Sequence, residues 1–256
     1  MNTQQLYRGI LGLLLALITT PLLWGQSSNE NVEFGVKAGL NIGATTPLPK
    51  PKAIDKIYTW NPHMNIALKG WLSYQLPDTK GWHLDTGLEM ERKGMYVCTH
   101  ATNLRINMSD GKEAAWGFFT GNNSTEFINY YLTIPMLVAY HTSKDKFRMQ
   151  VGFYLSYLMQ QSFKVTLDGD GTFNDMALSP GHLVDFDLSD HFNKLDMGVR
   201  VGFDYFFHQR FGVTAQLNMS FEPALDRSFT MMPFPLYNIY AFAGFAYASK
   251  FGRTVL

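Results

Sequence analysis

The sequence predicts an all-β fold, an eight-stranded antiparallel up-and-down transmembrane β-barrel with long extracellular loops and short periplasmic turns. Eight segments alternate between apolar and polar residues, which is the period-two pattern of a strand that buries one face. These segments are 33–44, 64–75, 82–93, 126–141, 147–161, 192–207, 211–221 and 237–251. Their connections alternate between long and short, at about 19, 6, 32, 5, 30, 3 and 15 residues. Transmembrane barrels have this arrangement, with tight turns on one side and long loops on the other.

The first three segments each place apolar side chains on one face and charged residues, amides or glycines on the other. The apolar rows are Phe34, Val36, Ala38, Leu40 and Ile42, then Met64, Ile66, Leu68, Leu72 and Tyr74, then Trp82, Leu84, Leu88 and Met90. A tight turn at 76–81 joins the second and third segments and brings Lys69 close to Gly87 or Glu89 on the polar face. We therefore expect opposite charges to pair across this hairpin.

The fourth segment has the clearest membrane signature. Its apolar row is Ile128, Leu132, Ile134, Met136 and Val138, with Tyr130 and Tyr140 bracketing it. At about 3.3 Å per residue and a tilt of about 40°, the stretch between the tyrosines spans roughly 25 Å along a barrel axis, the height of an apolar band between two aromatic girdles. Tyr130 and Tyr140 are thus predicted girdle residues. Pro135 lacks a backbone donor, which predicts a β-bulge at its position.

The last four segments show the same pattern with different clarity. The sixth and seventh alternate cleanly, with apolar rows of Leu195, Met197, Val199, Val201, Phe203, Tyr205 and Phe207, and of Phe211, Val213, Ala215, Leu217 and Met219. The fifth and eighth alternate less cleanly, because Tyr154, Leu158, Tyr240 and Phe242 lie on their more polar faces. Eight is an even number of strands and lies within the range of small closed barrels.

The alternation alone fits two orientations of the faces. A soluble barrel of the lipocalin kind turns its apolar face inward around a ligand, whereas a membrane barrel turns it toward lipid and fills the lumen with the polar face. Charges and glycines on the polar face, together with polar short turns, favour lipid. The predicted polar network of the lumen consists of Lys37, Lys69, Asp85, Glu89, Asp196, Arg200 and Asp204. An eight-stranded barrel is just wide enough for its own side chains, which argues against a diffusion pore.

The N-terminal residues predict export. Arg8 supplies a positive charge, residues 9–23 form an apolar run, and the small Gly25 precedes Gln26, a pattern typical of a cleaved signal peptide over 1–25. Residues 26–256 then form one barrel domain in the bacterial outer membrane. The formal net charge of zero gives no basic patch for nucleic acid. The single cysteine, Cys98, fits neither an internal disulfide nor a metal motif.

Three short stretches resemble one known family. They are 34–41 (FGVKAGLN), 131–137 (YLTIPML) and 196–203 (DMGVRVGF), and their order and spacing are similar to those of PorT-type outer-membrane β-barrel proteins of Bacteroidota. The resemblance covers residues 33–251. It implies an outer-membrane barrel of about eight strands. Some members of the family are associated with protein export, and the resemblance implies no catalytic residues.

Candidate chemistry at the rim is sparse. Segment 185–191 places Ser189, His191 and aspartates together, but nucleophilic catalysis needs these groups to converge in space, which sequence neighbours seldom do. Segment 168–171 (DGDG) hints at calcium, yet Phe173 and Ser179 stand where the calcium loop needs Gly and Glu. The histidines show no paired zinc spacing. We therefore expect no catalytic residue, no cofactor and no metal.

The two longest loops carry aromatic residues among polar ones, namely Trp116, Phe118, Phe119, Phe173 and Phe186. Exposed aromatics on a rigid barrel suit contacts with a partner protein or a glycan, and the same residues equally suit small cores within the loops. We predict a non-enzymatic structural or interaction barrel in contact with the lipid bilayer, supporting protein export or surface recognition. The alternatives are a rim enzyme acting on lipid or peptide, a soluble periplasmic ligand-binding barrel, and a narrow channel.

Overall fold

The computed structural model describes residues 31–107, 116–142, 146–168, 171–174, 176–177, 184–226, 229 and 231–249. The predicted signal peptide, the middle of the turn at 142–146 and residues 169–170 of the calcium-like segment lie outside these residues. The strands of the described chain are β1 (Val32–Pro47), β2 (Ile54–Asn61), β3 (Asn65–Gln75), β4 (Trp82–Asn107), β5 (Trp116–His141), β6 (Phe147–Gln160), β7 (Phe163–Leu167), β8 (Thr172–Phe173), β9 (Met176–Ala177), β10 (Val184–Asp187), β11 (Leu195–Phe206), β12 (Phe211–Ser220) and β13 (Leu236–Ala248). Within the same ranges, no helix is long and apolar enough to span a bilayer.

The eight longest strands close into a ring. Hydrogen-bonded neighbours follow the order β5, β6, β11, β12, β13, β1, β3 and β4, and the pairing of β4 with β5 completes the circuit. Antiparallel registers join β3 to β4, β4 to β5, β5 to β6, β6 to β11, β11 to β12, β12 to β13 and β13 to β1. Each ring strand lies beside its neighbours in sequence, as in an up-and-down barrel. All eight predicted segments are therefore confirmed as ring strands.

Two ring strands continue far beyond the barrel. β4 and β5 pair from Trp82 and Tyr140 out to Asn107 and Trp116, so the hairpin runs about 50 Å along the strand past Arg92. β2 pairs with the outer part of β4, β7 pairs with the outer part of β5, and β10 pairs with β7. The projecting sheet is the part formed by residues 94–107 and 116–129 together with β2 and β7–β10.

The long connections between the predicted segments include 45–63, 94–125 and 162–191. The prediction that these three ranges are loops is wrong, because each contains strands. The physical reason lies in the burial of the projecting sheet. From Met95 to Thr99 every residue is buried or partly buried, whichever face it lies on. Apolar and polar residues therefore have no reason to alternate, and the period-two signal disappears where the strand leaves the barrel.

The prediction of a bulge at Pro135 is also wrong. Pro135 lies opposite Tyr154 of β6, and the pairing of β4 with β5 has the same register on both sides of it. The Pro135 carbonyl still accepts a hydrogen bond, from the Thr86 hydroxyl at 2.8 Å. The irregularity in β5 falls instead between Tyr130 and Tyr131. The strand thus tolerates one missing donor without an inserted residue.

Glycines on the lumen face make room for the aromatic residues that interrupt the polar pattern. The Tyr154 hydroxyl lies 2.5 Å from where a Cβ on Gly198 would be, and the Trp71 ring lies 2.6 Å from the same position on Gly35. Aromatic rings that cover glycines on a neighbouring strand are a known device for fixing register in curved sheets. The fifth predicted segment alternates poorly because its lumen face carries the Tyr154 ring. The eighth does so because its lumen face carries Tyr240, whose ring lies 2.8 Å from the same position on Gly43.

We expect Gly198→Ala to destabilise the barrel by about 1–3 kcal/mol, because its methyl group would overlap Tyr154 and the carbonyl of Met219. Gly70 is the matched control, since the nearest atom to a Cβ there is 3.6 Å away. Gly70→Ala should change the stability by less than about 0.5 kcal/mol. The measurement is urea unfolding of the protein folded into lipid vesicles. Equal effects at the two positions would contradict the packing of Tyr154 over Gly198.

Candidate functional site

The outer wall of the ring is apolar. The exposed large apolar residues on its strands include Leu40, Ile42, Ile66, Leu72, Leu84, Ile134, Met136, Met149, Val151, Phe153, Val199, Val201, Val213 and Leu217. A soluble protein rarely exposes a continuous apolar surface of this size. The wall therefore requires an apolar surrounding.

Aromatic residues mark both edges of this wall. Four strands each carry an outward aromatic pair separated by ten positions, which are Tyr130 and Tyr140, Phe147 and Tyr157, Phe211 and Phe221, and Tyr237 and Tyr247. At the tilt of a small barrel such a pair spans about 25 Å, which matches the hydrocarbon band of a membrane. Sequence reasoning found only the first pair, although the same ten-residue spacing recurs in segments already recognised as strands.

The lower edge of the wall, at the short turns, is a belt of packed aromatic pairs. Tyr140 packs edge-on against Trp82 with 5.3 Å between ring centroids. The Phe147 ring lies 4.8 Å from that of Tyr205, and the Phe211 ring lies 5.3 Å from that of Tyr247. At the upper edge, the Arg92 guanidinium lies 5.9 Å from the Tyr130 ring. The amphipathic Trp and Tyr side chains among them are of the types enriched at membrane–water interfaces.

The lumen is filled with paired charges. Among the described residues, the buried cations are Lys37, Lys69, Lys93, Arg148 and Arg200, and the buried anions are Asp85, Glu89, Glu91, Asp196 and Asp204. The two sets are equal in number, and the partly buried Glu33 adds one further carboxylate, which pairs with Arg148 at 2.9 Å. All seven residues predicted for the lumen network lie here. Glu91, Lys93 and Arg148 were missed, although each lies on the polar face of its strand.

The centre of the lumen is a four-residue cluster of two cations and two anions. Arg200 binds both oxygens of Glu89 in a fork, at 2.5 and 2.8 Å. Lys69 contacts Glu89 at 3.2 Å and Glu91 at 2.7 Å. The register places Lys69 directly opposite Glu89, as the predicted hairpin requires. Such bidentate, charge-assisted bonds are the strong ones in a water-poor interior.

Further ion pairs lie above and below this cluster. Toward the projecting sheet, Lys93 contacts Asp196 at 3.2 Å. Toward the short turns, Lys37 donates to both oxygens of Asp204 at 2.9 and 2.8 Å. Asp85 does not join these pairs and accepts a hydrogen bond from the Ser73 hydroxyl at 2.5 Å. Lys93 also lies 3.7 Å from Glu91, so Asp196 is connected to the central cluster, whereas the Lys37–Asp204 pair and Asp85 make their own contacts closer to the short turns.

Aromatic rings complete the filling of the lumen. The Lys69 ammonium lies 4.2 Å from the centroid of Phe242, and the Lys93 ammonium lies 4.7 Å from that of Tyr131. A cation over a ring face is attracted by the ring quadrupole, most strongly where water is excluded. The alternative of a soluble ligand-binding barrel predicts an apolar interior, whereas this lumen is charged.

The mouth of the barrel at the projecting sheet is packed with apolar residues. Its core includes Phe119, Phe127, Phe163, Phe192, Leu225 and Leu236, and Phe173 and Phe186 pack against it from the side. Phe127 and Phe163 stack with 4.4 Å between centroids. Three of the five predicted loop aromatics thus belong to a core, whereas Trp116 and Phe118 are exposed.

The candidate nucleophile does not meet the candidate base. The Ser189 hydroxyl and backbone N–H donate to Asp187 at 2.5 and 3.1 Å, and these bonds hold the pKa of the Asp187 carboxyl below its ordinary value. The His191 ring lies against Phe229, with 5.2 Å between centroids. Within the ranges that the structure describes, no three His, Cys, Asp or Glu residues are grouped as in a metal site.

A family model described as an outer membrane protein beta-barrel domain matches residues 24–226. The chain belongs to this family. The match agrees with the closed ring, the apolar wall and the charged lumen. The apolar surrounding of the wall is therefore the lipid bilayer of the outer membrane. A comparison with curated proteins gives no match. The last strand of the outer-membrane barrel, β13, lies beyond the matched residues and pairs with both β12 and β1.

We expect a charge on the lipid-facing wall to be costly at mid-height and tolerated near the edge. Leu195 lies at the edge of the wall opposite Tyr157, and Val201 lies six positions further along β11, near the middle of the membrane. Val201→Arg should cost about 2–4 kcal/mol and Leu195→Arg about 0–1 kcal/mol. The measurement is denaturant unfolding from lipid vesicles. Equal costs for the two variants would contradict the assignment of this face to lipid.

The Lys37–Asp204 pair allows a direct test of the buried charges. Lys37→Met or Asp204→Leu alone should cost about 3–5 kcal/mol, because each leaves the other charge buried without its counter-ion. The double variant should recover most of this loss, and the coupling free energy comes from a double-mutant cycle. Additive losses would mean that the two side chains do not interact in the membrane.

Proposed function

We propose that this outer-membrane barrel is non-enzymatic and non-conducting, and that it serves as a rigid base for an interaction surface on its projecting sheet. The observation that supports this proposal is the contrast between the filled ring and the projecting sheet. Side chains occupy the lumen of the ring, while the β4–β5 hairpin carries paired strand far beyond the membrane edge. Binding residues are commonly presented by segments that a rigid scaffold positions.

The lumen supports a non-conducting role. A pore needs a water-filled path, whereas this interior holds ion pairs at the centre and an aromatic core at one mouth. The rim supports a non-enzymatic role, because the Ser189 hydroxyl donates to an exposed aspartate and the His191 ring packs on Phe229. A rim enzyme would need a nucleophile and a base within hydrogen-bond reach of each other.

The free edge of the projecting sheet supports an interaction role. β2 is the last strand at this end of the described sheet and pairs only with β4. Its residues Ile57, Tyr58 and Trp60 are each about half exposed. Aromatic residues of this kind are enriched at the centre of protein–protein interfaces, and extended strands can add to a free sheet edge. We propose a partner protein as the ligand of β2.

The resemblance to PorT-type barrels of Bacteroidota supports a more specific version of this proposal. In it, residues 1–25 act as a signal peptide that is removed on export, and the short turns face the periplasm. The projecting sheet then lies outside the cell, where it assists protein export or surface recognition. Polar turns of three to six residues opposite a long extension are the arrangement of outer-membrane barrels.

Site-specific photo-crosslinking in intact cells tests the interaction surface. A benzoylphenylalanine at Trp60 should form a discrete protein adduct, because this side chain lies exposed on the free edge strand. The same probe at Tyr140, on the lipid-facing wall, is the matched control and should give no protein adduct. The variant Trp60→Ser should weaken capture by a second probe at Tyr58.

Equal crosslinking at Trp60 and Tyr140 would contradict a partner site on β2. The proposal would also be contradicted if neither Tyr58 nor Trp60 formed a protein adduct in cells where the barrel is folded and surface-labelled.

A further inference from the structure

The short turns place basic residues directly beside the lower aromatic belt. Lys80 precedes Trp82 by two positions, Lys146 precedes Phe147 by one, and Arg210 precedes Phe211 by one. All three basic side chains are exposed. We term these three residues, Lys80, Lys146 and Arg210, the basic collar.

The collar lies at the depth of lipid headgroups. The aromatic belt marks the edge of the hydrocarbon, because Trp82, Phe147 and Phe211 end the apolar wall and pack on neighbouring belt residues. One or two residues of strand advance by about 3–7 Å. The headgroup layer extends about 5–8 Å beyond the hydrocarbon on each side. The basic groups are therefore level with the phosphates.

The charge at this edge is predominantly positive. The sequences of the three short turns, 76–81, 142–146 and 208–210, contain four basic residues and two acidic ones, Asp78 and Asp145. The upper edge of the wall is different. No basic residue directly adjoins Tyr130, Tyr157, Phe221 or Tyr237 in the sequence, and Glu222 follows Phe221. Two basic residues nevertheless lie at this edge, because the Arg92 guanidinium is 5.9 Å from the Tyr130 ring and the exposed Lys194 precedes Leu195. On the short-turn side, by contrast, exposed basic residues lie within two positions of three aromatic residues of the belt.

We propose that the basic collar binds the phosphates of anionic glycerophospholipids in the leaflet at the short turns. Two observations identify an anionic lipid as the ligand. The collar is continuous with the lipid-facing wall, and its charge is positive. A Lys or Arg close to an anionic membrane surface favours binding by about fivefold each. The contact anchors the height of the barrel in the membrane and selects the lipids around it.

Native mass spectrometry of the barrel released from nanodiscs tests the proposal. The nanodiscs contain equal amounts of phosphatidylglycerol and phosphatidylcholine with matched acyl chains. Barrels that retain phosphatidylglycerol should outnumber those that retain phosphatidylcholine by about fivefold. The preference should fall to about equal in the Lys80→Gln, Lys146→Gln, Arg210→Gln triple variant, and also after exposure to high salt, which screens exposed charges.

Two further variants separate the collar from charge in general. The conservative triple Lys80→Arg, Lys146→Arg, Arg210→Lys keeps the charges and should keep the preference. The triple Lys50→Gln, Lys52→Gln, Lys56→Gln removes three exposed lysines near or on β2 and should leave the preference unchanged. Heat-modifiable migration on gels verifies that each variant folds. If the collar triple does not fold, the three single Gln variants replace it, and each should lose part of the preference for phosphatidylglycerol.

The proposal is overturned if the unaltered barrel retains both lipids equally. It is also overturned if the preference persists in the collar variant, or if it disappears in the β2 variant instead. None of these results bears on the partner site of β2, since that site lies on the projecting sheet and is tested by crosslinking.

Discussion

Closure of the hydrogen-bonded ring is the constraint from which the rest of the structure follows. Inside a membrane every backbone donor and acceptor needs a partner within the protein, and a sheet satisfies this only when its two edges meet. The pairing of β4 with β5 makes that contact. Once the ring is closed, alternate side chains must point to lipid or into the lumen. The apolar wall and the charged interior are the two results of one alternation.

The charged lumen is better understood as a device for specificity than as a source of stability. Burying a charge is costly, and a buried ion pair seldom stabilises more than well-packed apolar residues would. A shift of one residue in the pairing of a strand, however, would turn the lumen charges of that strand toward lipid. The contacts of Lys69 with Glu89 and Glu91, and of Arg200 with Glu89, are made only in the observed register. Nearly equal numbers of cations and anions leave that register close to neutral.

The ring was predictable from the sequence because its two faces differ sharply in chemistry. In β11, for example, Val199 and Val201 flank the lumen residue Arg200, so a period-two pattern identifies both the strand and its faces. Which lumen charges would meet was not predictable beyond the one tight hairpin. Lys37 and Asp204 are 167 positions apart, and alternation specifies the face of a residue but not its height or its partner across the barrel.

The strands of the projecting sheet were not predicted, because their two faces do not differ in chemistry in this way. Met95 and Tyr96 are both at least partly buried, although they point to opposite faces, so hydrophobicity shows no period. The enclosed core at the mouth depends on contacts such as Phe163 with Phe192, which join segments distant from each other in sequence. The exposed strand β2 has polar and apolar residues on both faces, which resembles a loop when only composition is visible. These are the regions on which the proposed interaction depends.

Gel migration of the membrane fraction with and without boiling tests the central claim most directly. A closed membrane barrel resists unfolding by detergent at room temperature. We therefore predict that the protein is extracted from the membrane only by detergent. On the gel it should form a compact, fast-migrating band that shifts on boiling. Protein that is released without detergent and migrates identically in both samples would contradict the closed barrel and its lipid-facing wall.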